Sequence, residues 1–516
     1  MPTLATLDYA VIVAYVIIVI ALCVRVTRRS PDTDELFLAG RSLGPAVIGL
    51  SLFASNISST TLIGLPGAAW EHGISVANYE WMAALVLLFT AVFVLPVFIR
   101  SRITTIPEVL EQRFDARLRK YLSAVSLFLS IVLDTAGSLY AGALVLMLFF
   151  PGLDLAATCA AMALFAGIYT AAGGLRAVVY TDVLQATVLL LGSLILSLLV
   201  FGEFDYNWSR VVDSVDPGHM SLIRPMDDPA LPWLGTLIGL PLLGFYYWTM
   251  NQYVAQRLLG ARDVQAAARG AMLAAALKLL PLFLMVMPGA MAISLFPDLE
   301  RADTVFPRLI AEYAPAGLAG LMLAGLMAAI MSSVDSTLNS ASTLLMVDFV
   351  KPRHPQMSTR SIARWGRVCT LVLMLLAALW APAIDHFPGL FAYLQQTFAY
   401  VTPPLVAVFA AGFCSRRIGA RAALFGLALG HGFAALAFVG AQLGWHDIHF
   451  TIVAGILFAF TLVCIYTLQQ MPGFAPALSA QVSAVRRRDG EALPARLRLG
   501  ILALTVLTLA LVFAFR

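Results

Sequence analysis

Five ionisable side chains interrupt long apolar stretches of this sequence: Glu80, Asp134, Asp182, Lys278 and Asp335. A charged group in hydrocarbon costs about 2.5–3.5 kcal/mol or more, so such residues usually bind an ion, a proton or a polar solute. Any one of them can instead have a structural partner, for instance Lys278 with Asp134 or Glu80. The five together indicate a binding site or a solute path inside a membrane.

Two segments rich in side-chain oxygens offer ligands for a hard cation. The first, 54–61, contains Asn56, two threonines and three serines, and the second, 332–337, contains Asp335 among hydroxyls. Helical positions i, i+3 and i+4 share a face, which groups Ala329, Ser332, Ser333 and Ser336. Of these, Ala329 offers only a carbonyl. Sodium, like calcium, takes oxygen ligands; alternatively, the hydroxyls satisfy an interrupted backbone or let helices pack closely.

The sequence does not indicate enzyme chemistry. It has no HExxH, GxSxG or Walker-type motif, and its seven histidines show no metal-ligand spacing. We expect His431 to be a packed helix residue rather than a proton carrier. The five cysteines lack CxxC spacing and are expected to be small core residues: Cys23, Cys159, Cys369, Cys414 and Cys464.

Composition indicates which elements position these residues. Hydrophobic residues make up 60% of the 516 residues and charged residues only 12%, against about 45–50% and about 25% in soluble domains. This excludes an ordinary soluble enzyme, a disordered chain and a disulfide-rich secreted scaffold. Period-2 strand patterns are absent, so the sequence predicts an all-α polytopic membrane protein.

Fourteen apolar segments are long enough to be transmembrane helices. Of the 33 Lys and Arg residues, 27 fall in alternate loops if the N-terminus is outside, five fall on the other side, and Lys278 lies within a segment. This bias predicts inner loops and places both termini outside. The segments are 8–26, 44–69, 77–99, 121–150, 153–173, 180–201, 233–257, 268–296, 316–347, 364–384, 388–413, 419–444, 449–470 and 497–515.

Ten of the segments divide into two halves of five helices, 44–201 and 233–413. Because five is odd, the second half inserts upside down relative to the first, as in an inverted repeat. Gly and Pro interrupt the first helix of each half, near Gly64, Pro66 and Gly67 and near Gly239, Pro241 and Gly244. Paired interruptions indicate a midplane site, although Gly and Pro are also frequent in ordinary membrane helices. The predicted units are 1–43 (extra helix and inner loop), 44–201 (first repeat), 202–232 (outer loop), 233–413 (second repeat) and 414–516 (three further helices).

Four motifs give the sequence a family resemblance. They are Gly173–Gln185 (GGLRAVVYTDVLQ), Asn251–Arg257 (NQYVAQR), Asn339–Thr343 (NSAST) and Tyr79–Trp81 (YEW). With them the sequence resembles the sodium/solute symporter family, and within it the sodium/sugar branch. The resemblance implies the leucine-transporter fold, in which the first and sixth core helices are broken.

The resemblance also implies two cation sites. The main sodium site is expected to use the carbonyls of Ala54, Ile57 and Ala329 with the hydroxyls of Ser332 and Ser333. A second sodium site, present in some members, would correspond to Asp182, Ser332, Asp335 and Ser336. Asp182 can alternatively serve an inner gate or a helix start.

The resemblance implies a sugar site as well. Asn56, Glu80, Lys278 and Gln395 match its hydrogen-bonding positions, Tyr247 and Trp248 match an aromatic inner gate, and Asn251 is a polar neighbour. Three positions depart from the pattern: Thr61 and Gly244 are short, and Asp134 stands where some members carry a cation. Asp134 is expected to bind a hydroxyl pair, neutralise Lys278 or accept a cationic solute.

The predicted function is therefore import of a small polar solute, with a sugar as first candidate, coupled to Na⁺ by alternating access. The alternative is a sodium or proton symporter for an amino acid, an organic acid or another solute. Na⁺ is the only cofactor expected, and the solute and the lipid bilayer are the only partners. The Ala- and Arg-rich composition indicates a bacterial inner membrane.

Overall fold

The computed structural model describes residues 4–27, 38–57, 59–150, 152–387, 389–474 and 493–516. Side chains are not described at 20, 22–27, 59, 60, 165, 167–181, 359, 360 and 363. Much of the Gly173–Gln185 motif therefore lies outside the described side chains. In these ranges the chain is helical apart from turns and one parallel bridge between Leu43 and Ala261.

The helices are numbered in chain order. They are α1 Thr6–Thr27, α2 Pro45–Asn56, α3 Ser59–His72, α4 Asn78–Phe93, α5 Leu95–Arg100, α6 Pro107–Arg113, α7 Ala116–Leu129, α8 Ala136–Phe149, α9 Leu155–Gly202, α10 Trp208–Asp213, α11 Trp233–Phe245, α12 Gln252–Leu259, α13 Val264–Leu277, α14 Met287–Leu295, α15 Val305–Tyr313, α16 Leu318–Leu344, α17 Thr359–Trp380, α18 Leu390–Cys414, α19 Ala420–Gln442, α20 Phe450–Gln470 and α21 Ala495–Ala514.

Membrane-length helices dominate the fold. In the described ranges ten helices are long and apolar enough to cross a membrane, or eleven if the bent pair α2 and α3 is counted as one span. This confirms the predicted all-helical membrane class, whereas the number fourteen stays a prediction. The turn expected between 173 and 180 is not found, because α9 is continuous from Leu155 to Gly202. No proline lies within those residues to end the helix.

The helix interruptions lie at other positions than the sequence pattern indicated. Pro66 is inside α3 and Pro241 is inside α11, so the breaks expected beside these prolines are wrong in position. Neighbouring helices and side chains let membrane helices tolerate proline. The backbone instead leaves the helical form after Asn56, before a bend of 55°, and at Asn251, which has ψ 123°.

Four π-helical turns are inserted into the long helices, at Ser130–Thr135, Tyr246–Met250, Leu282–Val286 and Leu345–Val350. Such turns widen the helix locally and frequently mark functional sites. The first turn carries Asp134 and the second carries Tyr247 and Trp248. Three of the predicted site residues thus stand on irregular backbone.

Buried glycines set the closest helix contacts. A Cβ on Gly239 of α11 would overlap the backbone carbonyl of Thr451 on α20, and a Cβ on Gly289 would overlap the backbone of Pro66. Small residues permit this approach between membrane helices. Gly239, which the sequence pattern placed at a helix interruption, therefore brings two helix backbones together.

The loop 202–232 is tied to the helical body at several points. Asn78 donates a hydrogen bond to the carbonyl of Leu222 at 2.7 Å, and the Leu222 N–H donates to the carbonyl of Phe515 at 2.8 Å. Burial raises the pKa of the Asp228 carboxyl, but the N–H groups of Leu231 and Ala230 outweigh it with help from Arg224, so the pKa falls below its usual range. The loop thus joins α4 to the C-terminal helix.

We expect Gly239→Ala to lower stability by about 1–3 kcal/mol, because the methyl group meets rigid backbone. Gly432→Ala on α19 is the matched control, since open space surrounds that glycine and alanine is the better helix former. Thermal unfolding in detergent measures both. Equal unfolding temperatures for the two variants would contradict the proposed close contact between α11 and α20.

Candidate functional site

A cavity lies where α2, α3, α4, α11, α16 and α18 meet the first two π-helical turns. It encloses about 960 Å³ of empty space, counted out to its open side. Seven of the nine predicted solute-binding residues line it, namely Asn56, Thr61, Glu80, Asp134, Tyr247, Trp248 and Gln395. Lys278 and Asn251 lie directly behind this wall, where each contacts a lining carboxylate.

Several polar atoms of the wall have no protein partner. Among the described residues, Asn56 Oδ1, Tyr79 OH and Ser333 Oγ are buried without a hydrogen bond, and all three residues line the cavity. Leaving such groups unsatisfied costs about 1–3 kcal/mol each. A hydroxyl-rich solute would supply the missing hydrogen bonds.

Glu80 and Lys278 form a buried ion pair. Lys278 Nζ donates to Glu80 Oε2, and the same ammonium group lies 4.9 Å from the ring centroid of Trp248. The sequence left open whether Lys278 pairs with Glu80 or with Asp134, and the structure selects Glu80. Lys278 therefore orients a lining carboxylate and is itself fully buried.

Tyr247 is held in the cavity wall by hydrogen bonds to its hydroxyl and by aromatic contacts to its ring. Asn56 Nδ2 donates to it at 3.2 Å, and it is hydrogen-bonded to the hydroxyl of Tyr253. The Tyr247 ring makes edge contacts with Trp248 and Phe398, at 5.2 and 5.9 Å between centroids. These contacts hold Tyr247 at one side of the cavity, close to the two points, after Asn56 and at Asn251, where the backbone leaves the helical form.

Thr61 and Asn251 each satisfy backbone groups that an irregular helix end leaves free. Thr61 Oγ1 donates to the carbonyl of Asn56 at 2.5 Å. Asn251 Oδ1 accepts the N–H of Tyr253 at 3.3 Å and so caps α12. The alternative interpretation, that polar residues here repair the backbone, thus describes part of their role.

The five residues of the expected main sodium site lie on two elements. Ala54 and Ile57 are at the end of α2, Ala329, Ser332 and Ser333 are on α16, and all five are buried. Ser332 Oγ donates to Asp182 Oδ1. Ser333, in contrast, lines the cavity, and its buried Oγ has no protein partner.

Asp182, expected in a second sodium site, is paired with an arginine. Arg257 Nη2 lies 3.0 Å from Asp182 Oδ2 and also donates to Ser336 Oγ at 2.7 Å. Ser51 donates to the same carboxylate oxygen at 2.7 Å. Asp335 is buried on α16, and Asp182 already has a counter-charge.

Sequence reasoning missed two groups of residues. Arg257 is the last residue of the predicted segment 233–257, yet it is fully buried. Its burial is explained only by its ion pair with Asp182, which is distant in the sequence. Tyr79, Tyr253 and Phe398 also line the cavity, and the matched motifs contained the first two. Among the described residues, no group of three or more His, Cys, Asp or Glu side chains is arranged to hold a metal ion.

Comparison with known proteins identifies the family. Residues 36–430 match the Sodium:solute symporter family. The chain belongs to this family. It is 34% identical over 457 residues to the sodium/glucose cotransporter of Vibrio parahaemolyticus, covering 82% of this chain and 83% of that protein. It is 35% identical over 468 residues to sodium/myo-inositol cotransporter 2 of Sus scrofa, with 83% and 69% covered.

The fold agrees with this assignment. A structure of a Na⁺-coupled sialic acid symporter, in a substrate-bound outward-open state, matches with a TM-score of 0.79 at 23% identity, covering 92% of this chain and 100% of that one. The chain is therefore an integral membrane symporter and not an enzyme, and sodium is its coupling ion, as the sequence predicted.

Arg257→Met should strongly destabilise this symporter, because it leaves Asp182 buried without its counter-charge. Removing one partner of a buried pair costs about 3–5 kcal/mol, and Asp182→Asn combined with Arg257→Met should restore much of the loss. The control is Arg262→Met, whose pair with Asp263 is exposed. Thermal unfolding in detergent measures the stability of each variant. Equal unfolding temperatures for Arg257→Met and Arg262→Met would contradict the structural role of the pair.

Proposed function

We propose that this symporter imports a small hydroxylated solute, with a sugar as the first candidate, through the cavity between α4, α16 and α18. The observation that carries the proposal is the cavity wall, which contains both aromatic side chains and residues with buried polar atoms that lack a protein partner. Sugars need both, because their hydroxyls require hydrogen bonds and their ring faces pack on aromatic surfaces. The named substrates of the two relatives, glucose and myo-inositol, support this class.

Individual residues have distinct proposed roles. Gln395 and Asn56 hydrogen-bond solute hydroxyls, and Glu80, oriented by Lys278, accepts a pair of them. Tyr247 and Trp248 cover the solute on the inner side. Thr61, Asn251 and Asp134 complete the site, and the short Thr61 and Gly244 leave room for a solute bulkier than a hexose.

The coupling sodium ion binds between α2 and α16 in this proposal. Its ligands are the carbonyls of Ala54, Ile57 and Ala329 with the hydroxyls of Ser332 and Ser333. Ser333 also lines the solute cavity, so an ion there orders a wall of the solute site. Solute and Na⁺ then raise each other's affinity by the same factor, since such coupling is reciprocal.

A second ion would use Asp182, Ser332, Asp335 and Ser336, after Arg257 releases Asp182. Each Na⁺ entering at 100 mV contributes about 2.3 kcal/mol, and a tenfold gradient adds about 1.4 kcal/mol. One ion supports solute accumulation of roughly a few hundredfold, and two ions would square that ratio.

Transport proceeds by relative movement of two inverted repeats of five helices, 44–201 and 233–413, around the central site. The broken helices 44–69 and 233–257 open first, at Asn56 and Asn251. Segments 1–43 and 414–516 supply additional helices outside the repeats, and 202–232 forms an outer loop. We place the protein in a bacterial inner membrane.

The first experiment is uptake of labelled glucose, galactose and myo-inositol into proteoliposomes with and without an inward Na⁺ gradient. Uptake that needs Na⁺ and is competed by one of these compounds supports the proposal. Uptake driven by a pH gradient alone would favour the proton-coupled alternative. Stabilisation by Na⁺ without uptake of any polyol would favour another solute.

Replacing Ser333 by Ala should raise the half-saturating Na⁺ concentration about tenfold, equivalent to about 1.4 kcal/mol, and Ser332→Ala with Ser333→Ala should raise it further. Ser340→Ala is the control, because Ser340 is also a buried serine on α16 whose hydroxyl has no partner among the described residues. Na⁺ titration of transport measures all three. An unchanged Na⁺ requirement in the double variant would exclude this sodium site.

Gln395→Ala should raise the half-saturating solute concentration about two- to tenfold, the value of one neutral hydrogen bond. The Na⁺ requirement in saturating solute should stay nearly constant. Gln442→Ala, at the end of α19, serves as the control. If Gln395→Ala left the affinity for the best substrate intact, the proposed solute pocket would be misplaced.

A further inference from the structure

One carboxyl group of the cavity wall, that of Asp134, has no described cation beside it. Glu80 and Asp134 both line the cavity, and Lys278 neutralises Glu80. Asp134 keeps part of its surface accessible. No arginine or lysine is among the described residues that line the cavity. An ionised carboxylate at this depth is costly unless a cation pairs with it, so a cationic solute would gain an ion pair at Asp134 that a neutral solute cannot form.

The neighbouring amide of Asn251 donates a hydrogen bond to the Asp134 carboxyl group. Asn251 Oδ1 is occupied by the Tyr253 N–H, which it accepts as a helix cap. The amide therefore presents only its Nδ2 group to Asp134, 3.5 Å from Oδ2. A protonated Asp134 would offer this donor a poorer acceptor, whereas a carboxylate accepts it fully. This hydrogen bond favours the charged form, and an ammonium group in the cavity would favour it further.

The surroundings of Asp134 suit an ammonium group better than a bare metal ion. A sodium ion needs several convergent oxygens, as calcium does, but the described side-chain partner of this carboxylate is an N–H donor. Aromatic side chains, including Tyr247 and Phe398, line the same cavity, and aromatic faces attract organic cations. The site already contains one such contact, between Lys278 and Trp248.

We propose that Asp134 selects a solute that carries a protonated amine beside its hydroxyl groups, such as an amino sugar, and that the carboxylate pairs with the ammonium group. The proposal rests on the proposed function, since it assigns the substrate class of the same cavity. Glu80, Gln395 and Asn56 would hydrogen-bond the hydroxyl groups of the solute, and Asp134 would pair with its ammonium group.

Three matched compounds test this in proteoliposomes with an inward Na⁺ gradient at about pH 6.5, where an amino sugar is mostly protonated. They are glucosamine, glucose and N-acetylglucosamine, which share a ring and differ at one position. The unaltered protein should have a half-saturating concentration for glucosamine about tenfold to a hundredfold below that for glucose, as expected for a charge-assisted contact. N-acetylglucosamine, which lacks the charge, should lose this advantage.

Two variants locate the preference. Asp134→Asn keeps the shape of the side chain and removes its charge, so it should reduce the preference for glucosamine over glucose to a ratio near one. Asp134→Glu keeps the charge and should retain part of the preference. Competition by each compound against labelled glucose gives the ratio without requiring a maximal rate.

Other outcomes overturn the inference in distinguishable ways. Equal or better binding of glucose by the unaltered protein refutes the amine preference and leaves the proposed function standing. A glucosamine preference that survives in Asp134→Asn refutes the role of Asp134. A changed Na⁺ Hill coefficient in Asp134→Asn, with no change in the ratio, makes Asp134 an ion ligand instead. Failure of all three compounds to bind or be transported overturns the sugar assignment itself.

Discussion

The buried ion pair between Asp182 and Arg257 is the interaction on which the arrangement of the central helices depends. A charge at membrane depth requires a partner. The Asp182 carboxylate pairs with Arg257 of α12 and accepts hydrogen bonds from Ser51 of α2 and Ser332 of α16. Four helices therefore meet at one group. Because Ser332 also belongs to the proposed sodium site, an ion that draws this hydroxyl away weakens one contact of the pair. Cation binding in the proposed site is thereby linked to the point at which these four helices meet.

Irregular backbone gives the cavity its chemistry. A regular helix satisfies its own N–H and C=O groups and offers a solute only side chains, whereas the end of α2, the π-helical turns and Asn251 turn backbone groups and side chains inward. Asp134, Tyr247 and Trp248 all stand on such turns. Glycine-mediated contacts, such as Gly239 against Thr451, hold the surrounding helices close enough to enclose this irregular region.

Sequence alone predicted the membrane class and the family, and seven of its nine proposed solute-binding residues line the cavity, because apolar length and oxygen-rich motifs are local properties. It did not predict which carboxylate pairs with Lys278, since Glu80 and Asp134 were equally plausible until α4 and α13 were placed. The continuity of α9 and the true break positions were missed for a related reason. Gly and Pro have the same local signature whether they interrupt a helix or let a neighbouring backbone approach.

The hydrogen bonds from Asn56 through Tyr247 to Tyr253 have an evolutionary consequence. They join residues of the two proposed repeats, so neither half can change its contribution alone without leaving a buried hydroxyl or amide unsatisfied. If the halves arose by duplication, this contact constrained them to diverge as a matched pair. Compensating substitutions at Asn56 and Tyr247 would therefore be a molecular record of that shared history.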